Sequence, residues 1–470
     1  MADSPQSKNL IRTAWFWPVL VAAAIRIPVA CVADDQWGDA PIRFDLLQRW
    51  TQHPGLWWSF DRIFQYGPLP THLAGLLSLT GLGPALAARV VVVLAGVVGV
   101  GLLAALAARF GGARAGLAAG LALALSPLHI QASTTFTSEA LYVALVLGCL
   151  TRAFDRDPWG MVICAFGAST TRYDTWIWLP LLAAWWLWRE WPKQRWTAFV
   201  APVLLMAGPL SILLANQLAL GNAFAPLAYI SKDHVALAAD AQVRVGSTLW
   251  RSLMTMYWPA AFLAVLTPGF ALVAFWSLAQ QIRERSQALM PAALGTFPPL
   301  LYTFKSVVLA NFWPMARFAL GPATLVMIGM KGIGRTALMV CVAISLAYNG
   351  ALIALGDGQP GIGLLAAAAS PVSLLPADLR AGARWLRETP GLPVVDFSPY
   401  YDDILVIHGA GRLFERYQLL NPPAGSAPRR IFALTGCKLD LELKPAGRAF
   451  GHTYKVVFTQ GRVTVWELTA

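Results

Sequence analysis

Charge is scarce in this chain of 470 residues: Asp, Glu, Lys and Arg together make up 13%, about half the quarter usual in soluble proteins. With a hydrophobic content of 57%, that deficit excludes a disordered chain, a coiled coil and an ordinary cytosolic enzyme. Cysteine is sparse too, and its spacing excludes more. Cys31, Cys149, Cys164 and Cys341 lie in or beside apolar runs, and Cys437 lies in a polar stretch. No CxxC or other metal-ligand spacing occurs, so neither a disulfide framework nor a zinc site is indicated, and the thiols read as small packing residues. An internal repeat of the kind that builds secondary transporters is also missing.

What the chain does have is a succession of apolar runs carrying 20 Trp and 39 Gly. This composition is that of an α-helical polytopic membrane protein. The net charge of +12 resembles a nucleic-acid signal until the basic residues are placed. Most lie in short loops between apolar runs, where they orient a membrane protein, and no nucleic-acid function follows.

The first apolar run, Ala14 to Ala33, follows Lys8 and Arg12 and precedes Asp34 and Asp35. A basic leader before an apolar run is also the pattern of a signal peptide, with Val29–Ala33 as the cleavage region. Its length, and the interruptions at Arg26 and Pro28, favour a retained span with a cytoplasmic N-terminus. Later runs centre near residues 97, 122, 146, 165, 181, 207, 266, 298, 323 and 346, about eleven spans in all on the hydropathy rule. Alternation then places the short basic loops at Arg109 and Arg114, Arg152 and Arg156, Arg189 to Arg195, Arg283 and Arg285, and Lys331 and Arg335 in the cytoplasm. The long loops 34–85 and 219–250 fall outside. Ala115–Pro127 and Gly160–Thr170 are short for a span, which points to a water-filled cavity cut into one side of the bilayer. Pro68–Thr80 is expected to lie along the interface.

Residues 1–369 are therefore read as a transmembrane domain and residues 370–470 as a small extracytoplasmic α/β domain. In the latter, strands are expected at Val394–Asp396, Ile404–Ile407, Arg430–Leu434, Lys455–Thr459 and Val463–Leu468, with an amphipathic helix at Leu379–Glu388.

Ionisable residues at membrane depth are expensive and mark candidate sites. Asp34 and Asp35, at the lip of the first span, read as part of a solvated acidic loop or as general bases; Asp39, Asp45 and Asp61 read as a solvated acidic loop. Glu139 is the one acid where the polar loop from Ser126 enters an apolar helix. It also reads as a helix N-terminal acid with Ser138 as cap. His129, in that loop, has no second histidine at metal spacing. Thr171-Arg172-Tyr173-Asp174 stands between two apolar runs, as a cavity group or as an Arg–Asp pair capping a turn. Lys305 and Arg317 flank Asn311-Phe312-Trp313-Pro314 at adjacent span ends; with Arg89 they read as snorkelling cations or as a phosphate site. Acids and cations on one membrane face suit chemistry with a phosphate leaving group.

In this order the elements resemble the GT-C superfamily of membrane glycosyltransferases, in the branch of protein O-mannosyltransferases and lipid A aminoarabinose transferases. The likeness rests on Asp34-Asp35, Tyr66-Gly67-Pro68-Leu69-Pro70, Arg89, Phe110-Gly111-Gly112, Ser126-Pro127, Glu139, Thr171-Arg172-Tyr173-Asp174 and Ala316-Arg317-Phe318 with Pro322. It covers about the first 335 residues. Asp-Asp stands where Asp-Glu is commoner in the family, Glu139 where the second acid is often Asp, and Arg172 where many members have Lys.

The resemblance implies a polyprenyl-phosphate-sugar donor and inverting transfer to an acceptor hydroxyl on a glycan, lipid or protein, at the extracytoplasmic face of a bacterial inner membrane. It implies Asp34 as general base, Asp35 or Glu139 as the group orienting the acceptor, and Arg89, Arg172, Lys305 and Arg317 at the donor phosphate. His129, Tyr173 and Asp174 are the candidates for acceptor or sugar contacts. No cofactor or metal is required, since a lipid monophosphate can leave against cationic side chains. The alternative is a transporter or flippase of a lipid-linked substrate without covalent chemistry.

Overall fold

The computed structural model describes residues 5–34, 39–63, 65–286, 288–355, 370–374, 377–388, 394–395, 429–434, 447–449, 451–461 and 463–469. The chain divides into two compact units, one of Met1–Cys31 with Arg49–Val372, the other of Val32–Gln48 with Ser373–Ala470.

Helices in chain order are α1 (Pro5–Val32), α2 (Ala40–Gln52), α3 (Phe60–Ile63), α4 (Leu69–Ser78), α5 (Pro84–Gly111), α6 (Ala113–Ala124) and α7 (Pro127–Ala132). They continue as α8 (Glu139–Phe154), α9 (Pro158–Thr171), α10 (Thr175–Glu190), α11 (Arg195–Leu205), α12 (Ala207–Leu220) and α13 (Ala225–Val245). Next come α14 (Ser247–Leu266), α15 (Pro268–Glu284) and α16 (Leu289–Thr303), then a π-helical turn (Phe304–Val308) and a 3-10 turn (Ala316–Ala319). α17 (Leu320–Met327) and α18 (Arg335–Leu355) follow in the first unit, and α19 (Ala377–Glu388) belongs to the second.

The molecule is a helical membrane protein. Among the described residues, Ala14–Val32, Pro84–Gly111, Arg195–Leu220 and Arg335–Leu355 are long and apolar enough to cross a bilayer. α14 and α15, bent by 119° at their junction, make a fifth segment if taken as one broken span. The runs near 122, 146, 165 and 181 are helices α6, α8, α9 and α10 of 12, 16, 14 and 16 residues, below the roughly 20 a straight span wants. Prolines at the starts of α7 and α9 bound these short helices, since Pro suits a first turn but not an interior.

Small residues set the packing of the first unit. α6 carries Gly116 and Gly120, four apart on one face. A Cβ on Gly116 would lie 2.5 Å from the Ala104 carbonyl oxygen of α5, and one on Gly120 would lie 2.7 Å from Pro18 of α1. Close backbone approach of this kind is how helices associate where lipid removes the hydrophobic drive between them. The apolar stretch expected at Pro68–Thr80 is the ten-residue helix α4. The turn before it is equally tight: a Cβ on Gly67 would stand 2.4 Å from the carbonyl oxygens of both Thr170 and Thr171, so this position admits only glycine.

The second unit contains a five-stranded sheet in the order β1-β2-β5-β4-β3, made of β1 (Val394–Val395), β2 (Arg430–Leu434), β3 (Arg448–Ala449), β4 (His452–Gln460) and β5 (Val463–Leu468). β1 and β2 are parallel and the other pairs antiparallel. β2 and β5 have the expected bounds, and the strand expected at Lys455–Thr459 extends to His452–Gln460. The strand expected at Ile404–Ile407 and the end of the first at Asp396 lie outside the described residues. α19 packs on this sheet through Trp385, whose ring lies 5.6 Å from that of Phe458.

Candidate active site

The site is built at a break between helices. α9 ends at Thr171, Arg172 takes an extended conformation with φ −146° and ψ 137°, and α10 starts after Asp174. This break turns Arg172 toward the first residue of α8. Its Nη1 donates to Glu139 Oε1 at 2.5 Å, and its Nε and Nη2 donate to Asp174 Oδ2 at 2.9 and 2.6 Å. Glu139 and Arg172 are both buried, with 2% and 9% of their side chains exposed, against 24% for Asp174. Buried charges must be paired and hydrogen-bonded to be tolerated, and here one guanidinium serves two carboxylates. Tyr302 of α16 donates its hydroxyl to the other oxygen of Asp174, at 3.3 Å.

Aromatic rings extend this cluster to the remaining cations. Tyr302 stacks on Phe312 with centroids 4.7 Å apart, and Phe318 lies 5.8 Å from Tyr302. The Arg172 guanidinium is 5.5 Å from the Phe318 ring centre and that of Arg317 is 5.7 Å from it. Lys305 Nζ is 5.1 Å from the centre of Phe312; among the described residues no hydrogen bond or ion pair engages this ammonium. Phe312 also stacks on His234 of α13 at 4.4 Å. Three cations, Arg172, Lys305 and Arg317, thus gather at these rings, with Glu139 and Asp174 both directed at Arg172. The Lys305 ammonium can therefore attract a phosphodiester and gain stability as negative charge develops on a leaving phosphate.

The other sequence candidates fall elsewhere. His129 is wholly buried, and its Nδ1 accepts from Arg26 Nη2 at 2.7 Å. Arg26, also wholly buried, further donates to Ser133 Oγ at 2.8 Å and to the Ala124 and Leu123 carbonyls at 3.1 and 3.3 Å. It thereby caps the C-terminal end of α6, where helix carbonyls lack partners and a cation is favoured. Ser126–Glu139, expected as an open polar loop, is buried throughout. Its hydroxyls are turned inward: Thr134 Oγ1 donates to Ile130 O at 2.9 Å and Thr135 Oγ1 to Gln131 O at 2.8 Å, as backbone away from water requires. Ser138, read as a capping residue, precedes α8 but makes no side-chain cap. Arg89 donates to the Thr134 carbonyl. Tyr173 donates its hydroxyl to the Tyr66 carbonyl at 3.4 Å and lies edge-on to Trp176.

Asp34 belongs to the second unit. Its Oδ2 accepts from Arg380 Nη2 of α19 at 2.9 Å, and its backbone N–H donates to the Ser373 carbonyl at 2.8 Å. Asp35 lies outside the described residues. Among the described residues no three His, Cys, Asp or Glu side chains gather as metal ligands, and Glu139 and Asp174 are both directed at Arg172. Arg26, Tyr302 and His234 are participants that sequence reasoning did not single out. Arg26 alone carried a signal, as a charge inside the first apolar run.

Residues 68–216 match the family described as dolichyl-phosphate-mannose-protein mannosyltransferase, a stretch that includes Arg89, Glu139, Arg172 and Asp174. Among solved structures, ArnT from Cupriavidus metallidurans bound to undecaprenyl phosphate is similar at 14% identity and a TM-score of 0.63, with 96% of this chain and 97% of that one covered. The fold is that of the GT-C membrane glycosyltransferases. The same ArnT in the apo state aligns at 15% identity and a TM-score of 0.59, over the same shares of the two chains. The Archaeoglobus fulgidus oligosaccharyltransferase complexed with Zn and sulfate shares the GT-C fold at 14% identity and a TM-score of 0.50, with 97% of this chain and 72% of that one covered. No curated protein matches the chain in sequence.

Proposed function

We propose that this protein moves a sugar from a polyprenyl-phosphate-linked donor to an acceptor hydroxyl, with inversion, at the extracytoplasmic face of a bacterial inner membrane. The observation that carries the reading is the cluster at the head of α8, in which Arg172 pairs with two acids while Arg172, Lys305 and Arg317 lie against the Phe312 and Phe318 rings. Within a GT-C fold, a lysine ammonium over an aromatic floor suits the phosphate of a lipid donor. The ArnT that this chain resembles in fold was crystallised bound to undecaprenyl phosphate, which supports the same class of donor.

In this reading the cations take different roles. Arg172 is held by Glu139 and Asp174, so it fixes the two acids and contributes its field to the phosphate. Lys305 makes a charge-assisted hydrogen bond to a phosphate oxygen, and Arg317 and Arg89 add their positive charge. Asp34 is the general base, with Asp35 or Glu139 orienting the acceptor. The acceptor oxygen attacks the anomeric carbon as its proton passes to the Asp34 carboxylate. The bond from that carbon to the phosphate oxygen breaks, and the electron pair leaves with the polyprenyl phosphate. The pair of Asp34 with Arg380, exposed by 29% and 49%, is of the surface kind worth about 0–1 kcal/mol. His129, Tyr173 and Asp174 contact no acceptor directly in this scheme: His129 orders the segment leading to Glu139, Tyr173 holds the Tyr66–Gly67 turn, and Asp174 anchors Arg172.

The test is reconstitution in liposomes with a panel of undecaprenyl-phosphate-linked hexoses and aminopentoses. The expected result is a new glycosidic product of inverted anomeric configuration with release of undecaprenyl phosphate. Movement of the intact lipid-linked sugar across the bilayer with no new covalent bond would replace the enzyme reading with a transporter.

A further inference from the structure

The segment that carries Lys305 is irregular in two linked ways. α16 runs into the π-helical turn Phe304–Val308, where the Leu309 N–H donates to the Phe304 carbonyl at 3.2 Å. Single π-turns inside helices concentrate at functional positions. Two residues later Ala310 has φ +52°, a left-handed conformation that a residue with a Cβ keeps only where its surroundings hold it. The reversal at Ala310 lets the Asn311 N–H donate back to the Lys305 carbonyl at 3.1 Å. It also lets Ser306 Oγ donate to the Phe312 carbonyl at 2.9 Å. Both bonds bring the Lys305 backbone and the Phe312 ring together, so the placement of Nζ over that ring depends on the turn at Ala310.

A side chain from another helix grips that turn. Gln242 of α13 donates its Nε2 to the Ala310 carbonyl at 2.8 Å, and the same nitrogen is steadied by the Ala238 carbonyl at 3.0 Å. His234, Ala238 and Gln242 follow at intervals of four and so share one face of α13. His234 stacks on Phe312 from that face. α13 thus holds the Lys305 segment at two points, ring and turn.

We infer that Gln242 is a positioning residue for the lipid-phosphate site: by holding Ala310 left-handed, it fixes Lys305 over Phe312 in the orientation that receives the phosphate. This rests on the reading of Lys305 as a phosphate ligand. The full-length protein in detergent is titrated with undecaprenyl phosphate, with undecaprenol as the uncharged control, and thermal unfolding is measured alongside.

Lys305→Met is expected to weaken undecaprenyl phosphate binding by about tenfold or more, the loss of a charge-assisted hydrogen bond. Gln242→Leu is expected to weaken it about five- to tenfold and to leave undecaprenol binding unchanged. Ala310→Gly in the Gln242→Leu background should restore binding to within about twofold, because glycine takes the left-handed conformation without a clasp. Normal binding by Gln242→Leu, or failure of Ala310→Gly to rescue it, overturns the inference while the Lys305 reading stands. Normal binding by Lys305→Met overturns that reading itself.

Discussion

Replacing Arg172 by Met removes the one guanidinium that serves both Glu139 and Asp174. The consequence differs for the two acids. Asp174 is 24% exposed and retains the Tyr302 hydroxyl at 3.3 Å, so water and that bond take up part of its charge. Glu139, 2% exposed, has no such recourse. Breaking a buried pair by removing one partner costs about 3–5 kcal/mol, chiefly the penalty of a stranded charge. Most of that cost is therefore assigned to Glu139. Glu139→Gln alone leaves Arg172 paired with Asp174 through two N–H groups and should cost about 1.5–2 kcal/mol, at the low end of the range for one lost bond to a charged group. In the double variant no charge is stranded at position 139, so the total should fall below that of Arg172→Met alone. Unfolding in detergent, followed by tryptophan fluorescence in a double-mutant cycle, reads this directly. Arg172→Met as stable as the parent, or single-variant costs that simply add in the double, would refute the shared-guanidinium account.

Other consequences are independent of catalysis. Arg26→Met should destabilise the protein by about 3 kcal/mol or more, since it strands the Leu123 and Ala124 carbonyls and the His129 ring in a dry interior. Arg26→Lys should recover only part, lacking the planar fork; thermal unfolding of both variants checks the order. Gly67→Ala should cost about 1–3 kcal/mol by overpacking, because its Cβ would stand 2.4 Å from two carbonyl oxygens; equal stability would contradict the tight turn. Arg380→Ala should shift the unfolding midpoint negligibly, as its pair with Asp34 is largely solvated.

The parts of this structure that were legible in the sequence are those that local pattern dictates. Strands β2 and β5 are short runs rich in apolar, β-branched and aromatic residues, with Gly436 soon after the one and Gly461 shortly before the other, and charges at span ends are conspicuous against apolar runs, which is why Glu139, Arg172, Lys305 and Arg317 stood out. What the sequence concealed is long-range pairing. His129 resembled a loop histidine because its partner Arg26 lies 103 residues away. Asp34 gave no hint of Arg380, 346 residues distant. The segment from Ser126 to Glu139 has the composition of an exposed loop, yet it folds its hydroxyls onto its own carbonyls and is buried. Tyr302 and His234 carry no spacing signal, since a lone aromatic in or near an apolar run reads as packing.

Asp34 is proposed to take the proton of the acceptor hydroxyl in transfer from a polyprenyl-phosphate-linked sugar. The measurement that tests it most directly is the turnover of Asp34→Asn in liposomes, alongside its undecaprenyl phosphate affinity and unfolding midpoint. The account predicts that transfer falls by about a hundredfold or more, the usual contribution of a general base, while affinity and stability stay at parental values. Transfer at the parental rate would contradict it.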